Sequence, residues 1–349
     1  MILSESLSIN WIQSKVQEFK GSDPIIVEKV IRALVLLETL KSLKLDFIFK
    51  GGTALMLMIQ EPKRFSIDID IIIENKEQDI ENILNEVVEA TDFIGWEEQK
   101  RKTKSTIDKR HFELQYNPKA PMLGEVNYIL LDIVFEEKPY TETQNIEVSH
   151  FLVLEDDSPI EVTVPTLSAI LGDKLTAYGP ETTGVPLSKP MEVMKQIYDV
   201  GSIFDRLDSI EGVKENFVKI AERELEYRGF KPNEFQIIID DILNSSHNFC
   251  VQGKLEPLIF KTMLMGTNKL NSFIYGDKFR EPQAQIAVAK ASYIASLIEQ
   301  DIIVVEKYDS TTDMASWEIA EGDYHRLNRL KKNNLEAFYY WYKAIEAKT

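Results

Sequence analysis

The expected fold is decided by Phe49-Lys50-Gly51-Gly52-Thr53-Ala54-Leu55, followed further along the chain by Arg64-Phe65-Ser66-Ile67-Asp68-Ile69-Asp70. Residues 45–49 are apolar and rich in strand formers, and the glycine pair after them predicts a break in the backbone. Residues 53–59 predict a short helix. Residues 66–73 alternate between polar and apolar side chains, which predicts a strand with one polar face. This order indicates a mixed α/β domain.

Asp68 and Asp70 stand two residues apart on the predicted strand, so both carboxylates point to the same face of the sheet. Two neighbouring anions repel each other, and a bound cation removes that repulsion. Mg²⁺ takes oxygen ligands and is typically held by one or two carboxylates together with substrate phosphates. The pair therefore predicts a Mg²⁺ site, with Mn²⁺ as a substitute ion, beside a bound nucleotide.

The glycine pair and a third acid extend this prediction. Gly51 and Gly52 carry no Cβ, so backbone N–H groups there can approach a triphosphate, and the helix N-terminus adds partial positive charge. Asp132 lies within the apolar run of residues 130–134, where a lone buried carboxylate would be costly. Its position is explained if it shares a face with Asp68 and Asp70. Three such acids can hold two metal ions, one at the attacking hydroxyl and one at the leaving pyrophosphate.

Each feature alone has a purely structural alternative. Two alternating acids are often a solvated strand face, a glycine pair is usually a turn, and an acid in an apolar strand can be a satisfied core residue. The combination in this order along the chain is more specific than its parts, and it favours nucleotide chemistry.

The two stretches resemble the signature of nucleotidyltransferases related to DNA polymerase β, and more narrowly the AbiEii/AbiGii abortive-infection toxin family. Residues 171–177 and 195–200 match further segments of that family, and the resemblance covers about residues 25 to 210. Taken with the residue argument, it implies five catalytic residues, of which the first three are metal ligands: Asp68, Asp70, Asp132, Lys174 and Asp199. The predicted nucleotide-binding residues are Gly51, Gly52, Thr53, Arg64, Ser66 and Lys174.

Lys174 and Asp199 fit this interpretation physically. A lysine on a helix directly after the catalytic domain can steady a triphosphate as a point charge. Asp199 would then orient that lysine or the acceptor hydroxyl. The alternative is a surface lysine and an ordinary helix-face aspartate. Lys50, beside the glycines, is a further possible phosphate contact.

The resemblance implies transfer of a nucleoside monophosphate from an NTP to an acceptor, by the toxin of a toxin–antitoxin or phage-defence pair. The acceptor would then be RNA, with the 3′ end of tRNA as the expected target, and an antitoxin would be encoded nearby. One alternative is a nucleotidyltransferase that modifies a small molecule or a protein side chain. Another is a catalytically silent member that binds nucleotide or a partner, and the three intact acids argue against it.

The remaining pattern predicts two domains. Residues 1–164 form the catalytic domain, with N-terminal helices over residues 8–19 and 24–43, a helix over 78–90, and strands over 109–116, 126–135 and 161–164. Residues 165–349 form an all-α domain that completes the active-site cleft. Its predicted helices cover residues 165–178, 190–207, 213–228, 234–243, 282–300 and 327–347. Residues 302–305 are its one strand-like run.

The chain carries 57 acidic and 40 basic residues, a net charge of −17. Bulk attraction to nucleic acid or to an anionic membrane is therefore not expected. Contact with RNA would need a local basic patch, and the sequence offers two clusters that are otherwise solvated charged faces. One contains Lys100, Arg101, Lys102, Lys104, Lys109 and Arg110, and the other contains Arg326, Arg329, Lys331 and Lys332. The acidic balance favours a small or protein acceptor.

Other conspicuous residues predict structural roles. Cys250 is the single cysteine and is expected to be a buried small side chain. His111 and His150 have no partners at metal-ligand spacing, and residues 339–342 (Tyr-Tyr-Trp-Tyr) are expected to pack a terminal helix instead of stacking bases. The N-terminus lacks a signal-peptide pattern, and no apolar run approaches the ~20 residues of a membrane span, so a cytoplasmic protein is expected.

Overall fold

The computed structural model describes residues 1–19, 22–59, 63–100, 108–121, 126–320 and 322–348. They form two compact units. The first comprises Met1–Thr166 together with Ser272–Lys278, and the second comprises Leu167–Asn271 and Phe279–Thr349. The first division lies close to the predicted boundary at residue 165, but residues 272–278 leave the second half of the chain to join the first unit.

The first unit is built on a mixed five-stranded sheet in the order β1-β2-β5-β4-β3. Only β2 and β5 pair in parallel; the other neighbours are antiparallel. The strands are β1 (Ile48–Lys50), β2 (Ile69–Ile73), β3 (Phe93–Glu98), β4 (Asp108–Tyr116) and β5 (Asn127–Phe135). The alternate residues Ile129, Leu131 and Ile133 of β5 are fully or almost fully buried, so one face of the sheet lies on the core.

The described part of this unit contains the α-helices α1 (Ile9–Glu18), α2 (Pro24–Ser42), α3 (Gly51–Met58) and α4 (Ile80–Ala90), and a 3₁₀ helix, Ser4–Leu7, precedes α1. Ser8 caps α1, and Asp23 caps α2 ahead of a proline in its first turn. The apolar face of α2 is buried in the core of the sheet. A separate antiparallel pair, β6 (Thr143–Glu147) and β7 (Glu161–Pro165), completes the unit.

The second unit is helical. Its α-helices are α5 (Leu167–Thr176), α6 (Pro190–Phe204), α7 (Val213–Tyr227), α8 (Gln236–Cys250), α9 (Pro257–Leu270), α10 (Glu281–Glu299), α11 (Leu330–Asn333) and α12 (Leu335–Glu346). A 3₁₀ helix, Gly322–Arg329, precedes α11. The prediction of a mixed α/β domain followed by a helical domain is thus confirmed.

Several element predictions need correction. The strand predicted over residues 66–73 begins only at Ile69, because residues 65–68 lie in irregular backbone. Residues 302–305 form no strand, and Val304 makes a single bridge with Ser209. The terminal helix predicted over 327–347 is interrupted at Asn334, whose side chain caps α12. The sequence analysis did not predict β3, β6 or α9. No helix among the described residues is long and apolar enough to cross a membrane.

Candidate active site

One row of side chains crosses four strands of the sheet. In register, Lys50 of β1 lies opposite Asp70 of β2, Asp70 beside Asp132 of β5, and Asp132 opposite His111 of β4. Residues that are direct partners on neighbouring strands point to the same face. The sheet therefore brings Asp70 and Asp132 together on one face, as predicted. Asp68 precedes β2 by one residue.

His111 contacts the third acid directly. Its Nδ1 lies 2.7 Å from Oδ1 of Asp132, and both side chains are partly buried. An ionised carboxylate can only accept hydrogen bonds, so the imidazole Nδ1–H is the donor in this contact. His111, which the sequence predicted to be structural, thus holds the Asp132 carboxylate in place. The spacing of residues along β4 carries no signal for this contact, because it depends on the register of β4 with β5.

Gly51 has no Cβ and so leaves room for the Asp70 carboxylate. Its φ is +79°, and a Cβ at this position would lie 2.2 Å from Asp70 Oδ2. The left-handed conformation and the close approach both require glycine. The turn from β1 into α3 therefore leaves a space beside the Asp70 carboxylate that a side chain at residue 51 would fill.

Gly52 has a different neighbourhood. A Cβ there would lie 2.7 Å from Ser66 Oγ and 2.8 Å from Arg64 Nη2. Arg64 is buried, and its Nη1 donates to the carbonyl of Phe65 at 3.1 Å. The structure thus places Arg64 and Ser66 at the N-terminus of α3, where a phosphate would find both side chains and the backbone N–H groups.

Thr53 follows the two glycines in the first turn of α3. Its side chain is fully buried, and Oγ1 donates to the carbonyl oxygen of Asp68 at 2.6 Å. The bond ties the residue that precedes β2 to the first turn of α3. Thr53 therefore positions Asp68, and its role in nucleotide binding stays a prediction.

A segment far along the chain supports the same motif. The N–H of Phe65 donates to the carbonyl of Phe273 at 2.8 Å, and the N–H of Tyr275 donates to the carbonyl of Lys63 at 3.1 Å. The rings of Phe65 and Tyr275 stack with centroids 4.7 Å apart. We call residues 272–278 the strap. It fixes residues 63–65 from one side, and the sequence analysis did not predict it because the two segments are separated by about two hundred residues.

Lys29 of α2 is a further cation beside the site that the sequence analysis missed. Its Nζ lies 4.8 Å from the centroid of the Tyr128 ring. Burial lowers the pKa of Lys29, while the negative charges of Asp68 and Glu113 oppose that shift. A half-buried ammonium close to these acids offsets part of their mutual repulsion.

The acids match a hard divalent cation by their chemistry. Asp70 and Asp132 are neighbours in register, and the lack of a Cβ at Gly51 leaves room for the Asp70 carboxylate. Carboxylate oxygens are the ligands that Mg²⁺ takes. Among the described residues, however, no three His, Cys, Asp or Glu side chains are already arranged as one set of metal ligands.

Lys174 and Asp199 meet within the second unit. Lys174 of α5 and Asp199 of α6 form an ion pair of 3.0 Å, and their side chains are only 10% and 3% exposed. The pairing that the sequence suggested therefore exists, and it is a buried contact between two helices. A buried pair of this kind leaves an uncompensated charge when one partner is removed.

The other singled-out residues take structural places. Burial raises the pKa of Cys250 to about 12, and its Sγ accepts from Trp341 Nε1 at 3.2 Å. Burial and the charge of Lys15 lower the pKa of His150 to about 3, so this histidine is neutral. The aromatic run at residues 339–342 packs into the second unit.

In the first basic cluster, Arg101, Lys102 and Lys104 lie outside the described residues, and Arg110 is paired with Glu81 and Glu98.

Comparison with known proteins gives one family. A family model described as the nucleotidyl transferase AbiEii toxin of a type IV toxin–antitoxin system matches residues 35–258. No curated protein matches the chain significantly. Among solved structures, the JHP933 protein of Helicobacter pylori aligns at 18% identity over 78% of this chain and 92% of its own, with a TM-score of 0.45. An antigenic nucleotidyltransferase-like protein from Paracoccidioides brasiliensis aligns at 16% identity over 58% and 94%, with a TM-score of 0.34.

Proposed function

The chain belongs to the AbiEii nucleotidyl transferase toxin family of type IV toxin–antitoxin systems, and we therefore propose that it transfers a nucleoside monophosphate from an NTP to RNA, with Mg²⁺. The proposed acceptor is the 3′ end of tRNA. One observation carries the catalytic part of the proposal: Asp70 and Asp132 are register partners on parallel strands, beside a glycine turn that leads into a helix.

Asp68, Asp70 and Asp132 would hold the metal in this mechanism. Bound Mg²⁺ supplies positive charge that offsets the charge developing on the triphosphate and activates the attacking hydroxyl. His111 keeps the Asp132 carboxylate on the site face through the 2.7 Å contact. Thr53 holds the backbone of Asp68 at the entrance to β2.

The triphosphate would lie at the N-terminus of α3. Gly51 and Gly52 leave room for phosphate oxygens to approach backbone N–H groups. Arg64 and Ser66, which lie at Gly52, supply a guanidinium and a hydroxyl at the same place. Lys174, which pairs with Asp199 within the second unit, stays the proposed further cation for the triphosphate.

Transfer is tested by incubating the protein with each radiolabelled NTP, Mg²⁺ and total tRNA, and by resolving the products on a denaturing gel. We expect label on tRNA with the wild type and none with Asp68→Ala. The Thr53 bond goes to the Asp68 backbone, so the variant should keep its fold. Asp157→Ala, at an exposed acid outside the site, is the matched control and should label tRNA normally.

The outcome also separates the alternative acceptors. Label on protein, or on a small molecule in a cell extract, would replace RNA as the acceptor while keeping the enzyme class. Undiminished transfer by Asp68→Ala would contradict the catalytic assignment.

The toxin role has its own test in cells. Expression of the wild type in a host that lacks an antitoxin should stop growth, and expression of Asp68→Ala should not. A small neighbouring gene whose product restores growth would identify the antitoxin. Growth that continues with the wild type, while transfer to RNA is seen in vitro, would contradict the toxin role alone.

A further inference from the structure

We propose that a basic pocket on the second unit binds the phosphodiester backbone of the RNA acceptor; this proposal rests on the proposed function. The pocket is open, has a volume of about 650 Å³, and is lined by Lys254, His325, Arg326 and Arg329. We call these four residues the basic pocket. None of them is acidic, in a chain whose net charge is −17.

The cations of the basic pocket have no acidic partner in the described part of the chain. Lys254, Arg326 and Arg329 form no ion pair there, whereas other strongly placed cations such as Arg110 and Lys290 each bind two carboxylates. Opposite charges normally neutralise such groups in an acidic protein. Among the described residues, these three cations face one space with no carboxylate paired to them, which indicates that a ligand supplies the counter-charge.

The 3₁₀ helix Gly322–Arg329 explains why two arginines converge. Residues three apart are eclipsed in a 3₁₀ helix, so Arg326 and Arg329 lie on one face, with a rise of roughly 6 Å between them. The helix is anchored at Asn328, whose amide exchanges two hydrogen bonds of 3.0 and 2.8 Å with the backbone of Ile319. Leu327 between the arginines is fully buried. The arginines therefore project from a fixed backbone.

Lys254 is presented by an equally fixed loop. The buried amide of Asn248 binds both the N–H and the carbonyl of Glu256, each at 2.9 Å. Gly253 has a φ of +70°, and a Cβ there would lie 2.7 Å from Cβ of Phe260. The tight turn directs the next residue, Lys254, to the pocket. Since the backbone at these positions is held before binding, little backbone entropy is lost when a ligand binds.

His325 adds a directed polar atom. Its Nδ1 lies 2.8 Å from the carbonyl oxygen of Gly322, and a carbonyl can only accept, so Nδ1 carries the hydrogen. Nε2 of the neutral ring is then an acceptor, which suits a ribose hydroxyl of RNA and not a phosphate oxygen.

The chemistry favours a phosphodiester strand. Guanidinium groups bind phosphate oxygens in pairs, and a pocket of this volume is larger than one phosphate needs. A polyanion is repelled by the chain as a whole, so RNA can dock only where unpaired cations gather. The second basic cluster noted in the sequence thus contributes Arg326 and Arg329, together with Lys254 from a different loop.

The test is RNA binding without NTP, which separates it from catalysis. Fluorescence anisotropy with labelled tRNA should show roughly tenfold weaker binding for Arg326→Gln/Arg329→Gln at low salt, and a slope of log K against log salt shallower by roughly 1 per arginine. The control Lys231→Gln/Lys261→Gln removes two exposed charges elsewhere on the unit and should bind like the wild type. Equal thermal melting of the variants checks that both are folded.

Transfer assays give a second readout. The arginine variant should raise KM for tRNA about tenfold while kcat at saturating tRNA stays unchanged. If the wild type binds tRNA more tightly than the arginine variant but transfers nothing, the proposed function fails and the basic pocket stands. Equal affinity and equal salt slope for the arginine and control variants would overturn the basic pocket alone.

Two further probes separate other sources of negative charge. Inorganic phosphate that stabilises the wild type but not the arginine variant, with tRNA binding unaffected, would assign the pocket to a free anion. If polyglutamate binds the arginine variant more weakly than the wild type, while the affinity for tRNA is unchanged, the pocket would be assigned to an acidic protein. Either result would overturn the RNA proposal.

Discussion

Gly51 and Gly52 adjoin each other, yet the two glycines are needed for different reasons. Gly51 has positive φ and faces the Asp70 carboxylate, whereas Gly52 lacks positive φ and faces the flexible ends of Arg64 and Ser66. The first position is constrained by the backbone and by the Asp70 carboxylate, and the second by the side chains of Arg64 and Ser66.

Substitution by alanine should separate these two roles. Gly51→Ala imposes a left-handed alanine, at about 1–2 kcal/mol, and displaces the Asp70 carboxylate, so stability and transfer should both fall. Gly52→Ala meets only movable side-chain ends and lies in the first turn of α3, so stability should hold while KM for NTP rises. Chemical denaturation and transfer kinetics measure both.

Gly95 of β3 is the matched control for these substitutions, because a Cβ there would lie 4.0 Å from the nearest atom, Gln115 Oε1. Gly95→Ala should leave both quantities unchanged. A Gly51→Ala variant with full stability and full transfer would show that neither the φ nor the Asp70 contact matters.

The buried Lys174–Asp199 pair predicts a strong asymmetry between single and double variants. Lys174→Met leaves the Asp199 carboxylate buried without its cation and should lower the free energy of unfolding by about 3–5 kcal/mol. Lys174→Met/Asp199→Asn removes both charges and should recover much of that loss, while transfer stays absent in both. Urea denaturation measures the difference.

Lys214→Met provides the comparison for an exposed pair, since Lys214 and Asp301 are 38% and 78% exposed and should contribute little. If the double variant were no more stable than Lys174→Met, the loss would come from packing and not from the unpaired carboxylate.

At the scale of elements, the strap joins the motif segment to a distant part of the chain. Two backbone hydrogen bonds and one ring stack hold residues 63–65 against residues 273–275. This segment carries Arg64 and leads to Ser66 and Asp68, so the strap positions residues that we propose bind phosphate and metal.

Tyr275→Ala should therefore affect NTP binding more than its distance in sequence suggests. Loss of the ring stack should cost about 1–3 kcal/mol of stability in the first unit and raise KM for NTP several-fold, because residues 63–65 lose support. The control is Tyr308→Ala, at a partly buried tyrosine that packs on Tyr339 in the second unit. It should leave KM for NTP unchanged, and a rise of equal size in both variants would argue against a positioning role.

At the scale of the whole molecule, each unit contains a buried neutral histidine. Burial lowers the pKa of His150 to about 3 and the pKa of His247 to about 4, from ordinary values near 6.5. Between these values and pH 6.5 the unfolded chain binds more protons than the folded chain. The stability that comes from burying each histidine in its neutral form is therefore fully present above pH 6.5, and it is lost as the pH falls towards 4.

This linkage predicts a measurable acid sensitivity in both units. At pH 5 each histidine should cost roughly 2 kcal/mol of unfolding free energy relative to pH 7. His150→Gln should flatten the pH dependence of the first unit and leave that of the second unit intact, as followed by denaturant melts at pH 5 and pH 7. The same pH dependence in His150→Gln and in the wild type would show that His150 does not carry it.

The sequence by itself determined the local elements and the identity of the chemical groups. Periodicity, caps and glycines are properties of neighbouring residues, so α1, α2, the turn at Gly51 and the helical second half could be predicted, and so could the motif that places the chain in its family. The prediction that Asp68 and Asp70 share a strand was only partly right, because Asp68 precedes β2 and is held there by Thr53.

Only the tertiary structure decided which distant groups meet. The pairing of Asp70 with Asp132 and of Asp132 with His111 depends on strand register, which no local pattern encodes when the strands lie far apart in the chain. The strap and the convergence of Lys254 with Arg326 and Arg329 likewise arise from packing between remote segments. Local sequence sets backbone preferences, whereas these contacts follow from how all buried surfaces are satisfied together.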